Sequence, residues 1–177
     1  MATLTSTIGN VNASYDYNAS GLRMKNGDTY FIYDGQNIVA EYDLANDEYI
    51  AVYGYAINRV SRFTSGVDGE IYLFNAHGDV VGLVAISGEN VGKTIKEYDY
   101  DAFGNEVFPD PDDENPFRYC GEYYDKGTNR LYLRASDYDS ATGRFTQQDG
   151  WGYGNIADTK KGMITENMIR NEHGLEL

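Results

Sequence analysis

The chain has 177 residues, 41% of them hydrophobic and 24% charged, a composition that suits one globular domain with a sizeable core and argues against disorder. Its formal net charge of −14 speaks against nucleic-acid and anionic-membrane partners, and no apolar run approaches the ~18 residues that cross a bilayer. A single cysteine, Cys120, excludes an internal disulfide and a cysteine-based zinc cluster, while 17 tyrosines and 20 glycines point to many short strands joined by tight turns.

At the N-terminus, MATLTSTIGN offers neither a basic n-region nor an apolar h-region, so no signal peptide is read there. A seven-residue phrase then occurs three times: YDYNASG from Tyr15, YLFNAHG from Tyr72 and YDYDAFG from Tyr98. In each copy two aromatics, two residues apart, share one face of an extended chain. The Asn or Asp that follows (Asn18, Asn75, Asp101) can accept from the backbone two residues on, and the closing glycine (Gly21, Gly78, Gly104) supplies a positive φ. The phrase is therefore read as a strand running into a hairpin corner.

Further turn signals stand at Asn26-Gly27, Asp34-Gly35, Asp68-Gly69, Ser87-Gly88 and Thr142-Gly143, with strand-like runs such as TYFIY, EIYLF and GLVAI between them. No segment before residue 150 carries a helical period over three turns. The wide gap between the first and second copies leaves room for a degenerate unit near YDGQNIVAEYD. Residues 1–108 are thus expected to be all-β: antiparallel hairpin repeats, paired edge to edge, that curl because sheets twist.

In the acidic run PDPDDENP, Asp110, Asp112 and Glu114 alternate as calcium ligands do, but the sharp-turn glycine is missing and prolines bracket the run. Residues 109–114 read instead as a solvated connector. Beyond them lies NPFRYCGEYYDKGTNRLYLRASDYDSATGRFTQQD, from Asn115 to Asp149. Tyr-Asp pairs also recur at Tyr15, Tyr33, Tyr42, Tyr98, Tyr100, Tyr124 and Tyr138. In these features the chain resembles the YD-repeat (Rhs) proteins. The stretch from Asn115 resembles their repeat-associated core, usually close to N-P-F-R-Y-R-G-x-Y-Y-D-x-x-T-G-L-Y-Y-L-x-x-R-Y-Y-D-P-x-T-G-R-F-x-x-x-D-P. The likeness is carried by Asn115, Pro116, Phe117, Arg118, Tyr119, Gly121, Tyr123, Tyr124, Asp125, Leu133, Arg134, Tyr138, Asp139, Gly143, Arg144 and Phe145.

The resemblance implies a β-sheet shell made by the repeats and closed by the core segment turning inward. In bacterial members such a shell holds a variable C-terminal toxin, delivered into competing or host cells and often freed by self-cleavage just after the core. Asp149 stands where the family's core aspartate stands and is the self-cleavage candidate. The usual proline after it is Gly150, however, and the usual arginine of the R-Y-Y-D step is Ser136. Asp149 is therefore better read as a turn aspartate, and the protein as no enzyme. Cys120, in place of the usual arginine, reads as a small buried filler; Arg134 and Arg144 read as surface or ion-pair residues. His77 sits at the variable position of a repeat turn and, with His173, makes no metal site. Residues 150–177 are too short for a toxin domain and read as a tail, the start of a truncated or lost region.

The expectation is a structural segment of a bacterial polymorphic toxin, secreted or on the cell surface as part of a longer exported protein, with no cofactor and no metal. Its partners are the C-terminal toxin domain and the upstream repeats of the parent chain. A rival reading takes the tyrosine-rich sheet as a binding module for carbohydrate or a cell-surface receptor. Open strand edges are expected to self-associate or to be covered by the tail.

Overall fold

The computed structural model describes residues 2–8, 11–64 and 69–147. Each of the three repeated phrases folds into the same corner. The Asn18 carboxamide oxygen accepts from the backbone N–H groups of Ser20 and Leu22, both at 2.9 Å, and Gly21 N bonds Asn18 O at 3.1 Å. Asn75 does the same with His77 and Asp79 (2.9 and 3.0 Å), and Asp101 with Phe103 and Asn105 (2.8 and 3.0 Å). Gly21, Gly78 and Gly104 all have positive φ, at 78°, 94° and 86°.

The corners join a ten-stranded antiparallel sheet in which every strand pairs with its neighbour in sequence. The strands are β1 (Ala2–Ile8), β2 (Val11–Tyr17), β3 (Arg23–Asn26), β4 (Thr29–Asp34), β5 (Asn37–Asp43), β6 (Glu48–Tyr55), β7 (Arg59–Thr64), β8 (Gly69–Phe74), β9 (Val80–Ala85) and β10 (Thr94–Glu97). The degenerate unit expected near YDGQNIVAEYD is the β4–β5 hairpin, with Asp34 opposite Asn37 and Gly35 at φ 59°. Asp68 lies outside the described residues, and Gly69 begins a strand rather than closing a turn.

The third phrase departs from the expectation. After its corner the chain makes only the single bridge Tyr100↔Glu106 instead of another strand pair, and leaves the sheet. A second sheet of four short strands follows: β11 (Tyr123–Asp125), β12 (Arg130–Tyr132), β13 (Asp137–Asp139) and β14 (Arg144–Phe145). A 3-10 turn at Tyr119–Gly121 precedes it, and no other helix is present among the described residues. None there is long and apolar enough to cross a membrane. The unit that contains both sheets ends at Phe145; of the next, only Thr146 and Gln147 are described.

Strand alternation gives the large sheet one tyrosine-rich face. Register shifts near the strand ends, as between Ile32 and Tyr33 or Gly54 and Tyr55, leave one extra residue on the facing strand, Val39 or Val60, and so bring Ile38 and Arg59 opposite the terminal tyrosines on that face. The core comprises Phe31, Ile38, Ala51, Tyr53, Tyr72, Val80, Leu83 and Tyr98 from this face, with Phe117 from the returning chain. Phe117 meets Tyr53 and Tyr123 edge to face, at centroid separations of 4.8 and 5.5 Å, and Tyr123 meets Phe31 likewise at 5.3 Å. The acidic connector is not wholly solvated as expected. Asp110 pairs with Lys96 at 2.7 Å on the surface, but Asp113 is half-buried, with its side chain covered, and pairs with Arg118 at 3.3 Å.

The corners differ in what surrounds the glycine. A Cβ at Gly21 would meet nothing within 4 Å, whereas one at Gly104 would lie 2.5 Å from the Tyr119 ring. Gly21→Ala should therefore lose only the left-handed backbone term, about 1–2 kcal/mol. Gly104→Ala should lose roughly 1–3 kcal/mol more from the forced ring displacement, read as the difference between urea melts of the two variants.

Candidate closing interface between the two sheets

Arg23 opens β3 with its side chain on the tyrosine face, 1% exposed. A guanidinium taken out of water is tolerated only where its charge and donors are met. Nη1 bonds Asp125 Oδ2 at 2.7 Å and Nη2 reaches Asp137 Oδ1 at 3.3 Å, so both counter-charges come from the small sheet. The guanidinium lies between the rings of Tyr15 and Tyr132, 4.0 and 4.3 Å from their centroids. The backbone joins in: Arg23 N–H donates to the Tyr132 hydroxyl at 2.7 Å, and the Tyr33 hydroxyl donates to Arg23 O at 2.8 Å. Burial holds the Asp137 carboxyl above its usual range, with Arg23 working against that.

The leading tyrosine of every phrase is tied to the returning segment. The Tyr15 hydroxyl donates to Asp125 Oδ2 at 3.0 Å, and that of Tyr72 to Asn115 Oδ1 at 2.8 Å. The Tyr98 hydroxyl accepts from Asn115 Nδ2 at 3.1 Å, and the same amide donates to Phe117 O at 2.7 Å. Asn115 is fully buried, so the hydroxyls of two different repeats satisfy one side chain of the closing segment. Arg59 from β7 adds a further tie: it donates to Gly121 O at 3.0 Å and to the Tyr55 hydroxyl at 2.6 Å, with its guanidinium on the Phe117 ring.

Glu41, buried in β5, accepts from the hydroxyls of Tyr53 (2.5 Å) and Tyr123 (3.2 Å). Burial raises its carboxyl pKa above the ordinary 4.5, and the two hydroxyls and Arg62 offset only part of that rise.

The structure thus brings Asn115, Phe117, Arg118, Gly121, Tyr123 and Asp125 to the interface. Arg118 pairs with Glu106 and Asp113 and donates from Nε to Asn115 O. The other residues of the motif shape the segment itself. Pro116 O accepts from Tyr124 N, the Tyr124 hydroxyl donates to Asn129, and Leu133 N donates to Ser136 O. Arg134, at φ 64°, forks onto Glu122 at 2.9 and 3.1 Å. The Tyr138 hydroxyl donates to Phe103 O, Asp139 caps the turn at Ala141, and Gly143 packs near Phe103. Tyr119 lies against Tyr100, while Arg144 and Phe145 are exposed. Asp149 and Gly150 lie outside the described residues. Cys120, expected as a buried filler, is exposed, because the positive φ of 54° turns it out of the 3-10 turn.

Sequence reading missed Arg23, Glu41, Arg59, Tyr132 and Asp137. Alternation alone would have put Arg23 and Glu41 on the other face; the register shifts between Asp16 and Tyr17 and between Ile32 and Tyr33 bring them onto the tyrosine face, where a charge must have a partner. The rival use of that face, as an aromatic platform for sugar, is not supported by the burial of Tyr15, Tyr53, Tyr72 and Tyr98.

No family model matches the chain. It is 32% identical over 165 residues to the tRNA3(Ser)-specific nuclease WapA of Bacillus spizizenii, and 31% identical over 174 residues to the tRNA nuclease WapA of Bacillus subtilis strain 168. Each alignment covers 81% of this chain and 7% of the relative, so the chain spans a small part of far longer proteins. Its fold is similar to a chain of the Photorhabdus luminescens Tc holotoxin pore carrying a TccC3 mutation, with a TM-score of 0.58 at 14% identity, over 85% of this chain and 8% of that one. Together these support an Rhs/YD-repeat family. They also correct the expectation of no enzyme, since the relatives are named as nucleases.

Two outcomes follow from this interface. Arg23→Met leaves Asp125 buried and unpaired and should cost about 3–5 kcal/mol in urea unfolding, with much of the loss recovered when Asp125→Leu is added. Because folding raises the Glu41 pKa, the folded chain holds more protons than the unfolded one above pH 4.5, and Glu41 makes stability fall as pH rises there. Glu41→Gln cannot ionise, so its stability relative to the native protein should climb with pH from that point, as paired melts across pH would register.

Proposed function

We propose that residues 1–108 are hairpin repeats of an Rhs/YD-repeat wall and residues 115–149 its repeat-associated core, with 109–114 connecting them. In this reading the wall encloses and presents a C-terminal effector in a secreted or cell-surface bacterial polymorphic toxin. Residues 150–177 lead toward that effector, which carries the nuclease activity for which the relatives are named. The observation that carries the reading is the return of residues 115–145 across the tyrosine face, tied to the leading tyrosine of all three phrases and to Arg23 and Arg59. A segment held that way ends the run of hairpins on one side. On the other, β1 is an end strand of the described sheet, where an upstream hairpin would add by pairing.

The test is made on the parent protein, captured from its source with an antibody to residues 115–149. Its intact mass should far exceed 19.8 kDa, and its C-terminal region should resist added protease until urea opens the wall. A product of 19.8 kDa alone, or a C-terminal region cut as fast in the native protein as in urea, would overturn the reading.

A further inference from the structure

We propose that His77, Asp79 and Cys120 form a surface site for one thiophilic divalent cation of the Zn2+ class. His77 and Asp79 belong to the corner of the second phrase, and Cys120 to the 3-10 turn of the returning segment. The fold joins these two places by backbone. Val80 N donates to Arg118 O at 3.0 Å, and Cys120 N donates to Asp79 Oδ1 at 2.8 Å. Asp79 is fixed from its other side by Asn75, whose amide donates to Oδ2 at 2.7 Å. His77 Nδ1 then stands 2.9 Å from Asp79 Oδ1 and 3.9 Å from Cys120 Sγ, and all three potential ligand atoms lie within 4.8 Å of one another.

The geometry separates a metal site from a catalytic relay. In a nucleophile–histidine–carboxylate relay the two ring nitrogens serve different partners. Here the carboxylate and the sulfur both face Nδ1, so the three groups converge on one point. Tetrahedral Zn2+ with its usual bond lengths sets nitrogen and sulfur about 3.6 Å apart, close to the spacing found. Imidazole, carboxylate and thiolate together favour Zn2+ over Mg2+ or Ca2+, and Asn75 and the Cys120 amide supply the outer hydrogen bonds that orient Asp79. On binding, the His77–Asp79 hydrogen bond is given up and the imidazole proton moves to Nε2 by exchange with solvent, the thiol proton leaves to solvent, metal bonds form to Nδ1, Oδ1 and Sγ, and water completes the shell. Such an ion would staple the β8–β9 corner to the returning segment.

Cobalt tests this directly, because Cys120 is the chain's one cysteine and any thiolate-to-cobalt band reports on this site alone. The reduced full-length chain should show that charge-transfer band with Co2+, saturating at one ion per chain and bleached by Zn2+. The band should vanish in Cys120→Ser, and the Co2+ dissociation constant should rise at least tenfold in His77→Ala. Both side chains are exposed, and both variants should keep the native circular dichroism. No charge-transfer band in the native chain, or a band and affinity unchanged in His77→Ala, would overturn the site.

Discussion

The arrangement of the two sheets depends on one buried cation. Arg23 loses its hydration on folding and regains partners only when Asp125 and Asp137 of the small sheet stand in place and two tyrosine rings close over it. A pair of this kind adds little net stability over a well-packed apolar contact, but it punishes misplacement severely. A returning segment shifted by one residue along β11 would offer Tyr124 where Asp125 is needed and leave a charge in the core. The ion pair therefore fixes the register in which the segment docks, and the aromatic packing of Phe117 and Tyr123 supplies the apolar burial that drives the docking.

Tyrosine does what phenylalanine could not. Its ring fills the space between the sheets while its hydroxyl reaches a polar group of the segment, so a face lined with tyrosines is both a hydrophobic surface and a row of hydrogen-bonding handles. The repeated phrase combines the two needs of this fold within seven residues: a corner that reverses the strand and a leading hydroxyl that holds what lies across the sheet. Asn115 shows the economy of the arrangement, since Tyr72 and Tyr98 from separate copies share its single carboxamide. Glu41 uses the same device in reverse, with one carboxylate held by a hydroxyl from each sheet.

The tyrosine face is not an open binding surface, because the returning chain already occupies it. The Bacillus relatives are alike in sequence and the Tc-toxin chain in fold, and the second likeness speaks to the fold alone. The cluster of His77, Asp79 and Cys120 lies at the same junction of wall and segment, on its solvent side.

The sequence by itself determined the corners and the class of fold. An Asn or Asp and a glycine three residues later settle a turn through bonds that span four residues, and alternation settles which side chains share a face; both survive without knowledge of the rest of the chain. The motif residues from Asn115 to Phe145 were legible as a group for the same reason, as a continuous string. Only the tertiary structure decided what the charges do. Arg23 and Asp125 are 102 residues apart, and His77 and Cys120 are 43 apart, and no local rule connects them. Their meeting depends on how many hairpins intervene, where each bulge returns a strand to register, and that the third phrase ends the sheet rather than extending it. The tyrosine neighbours of Cys120 in sequence suggest burial, whereas its left-handed φ leaves it exposed beside a histidine of the β8–β9 corner.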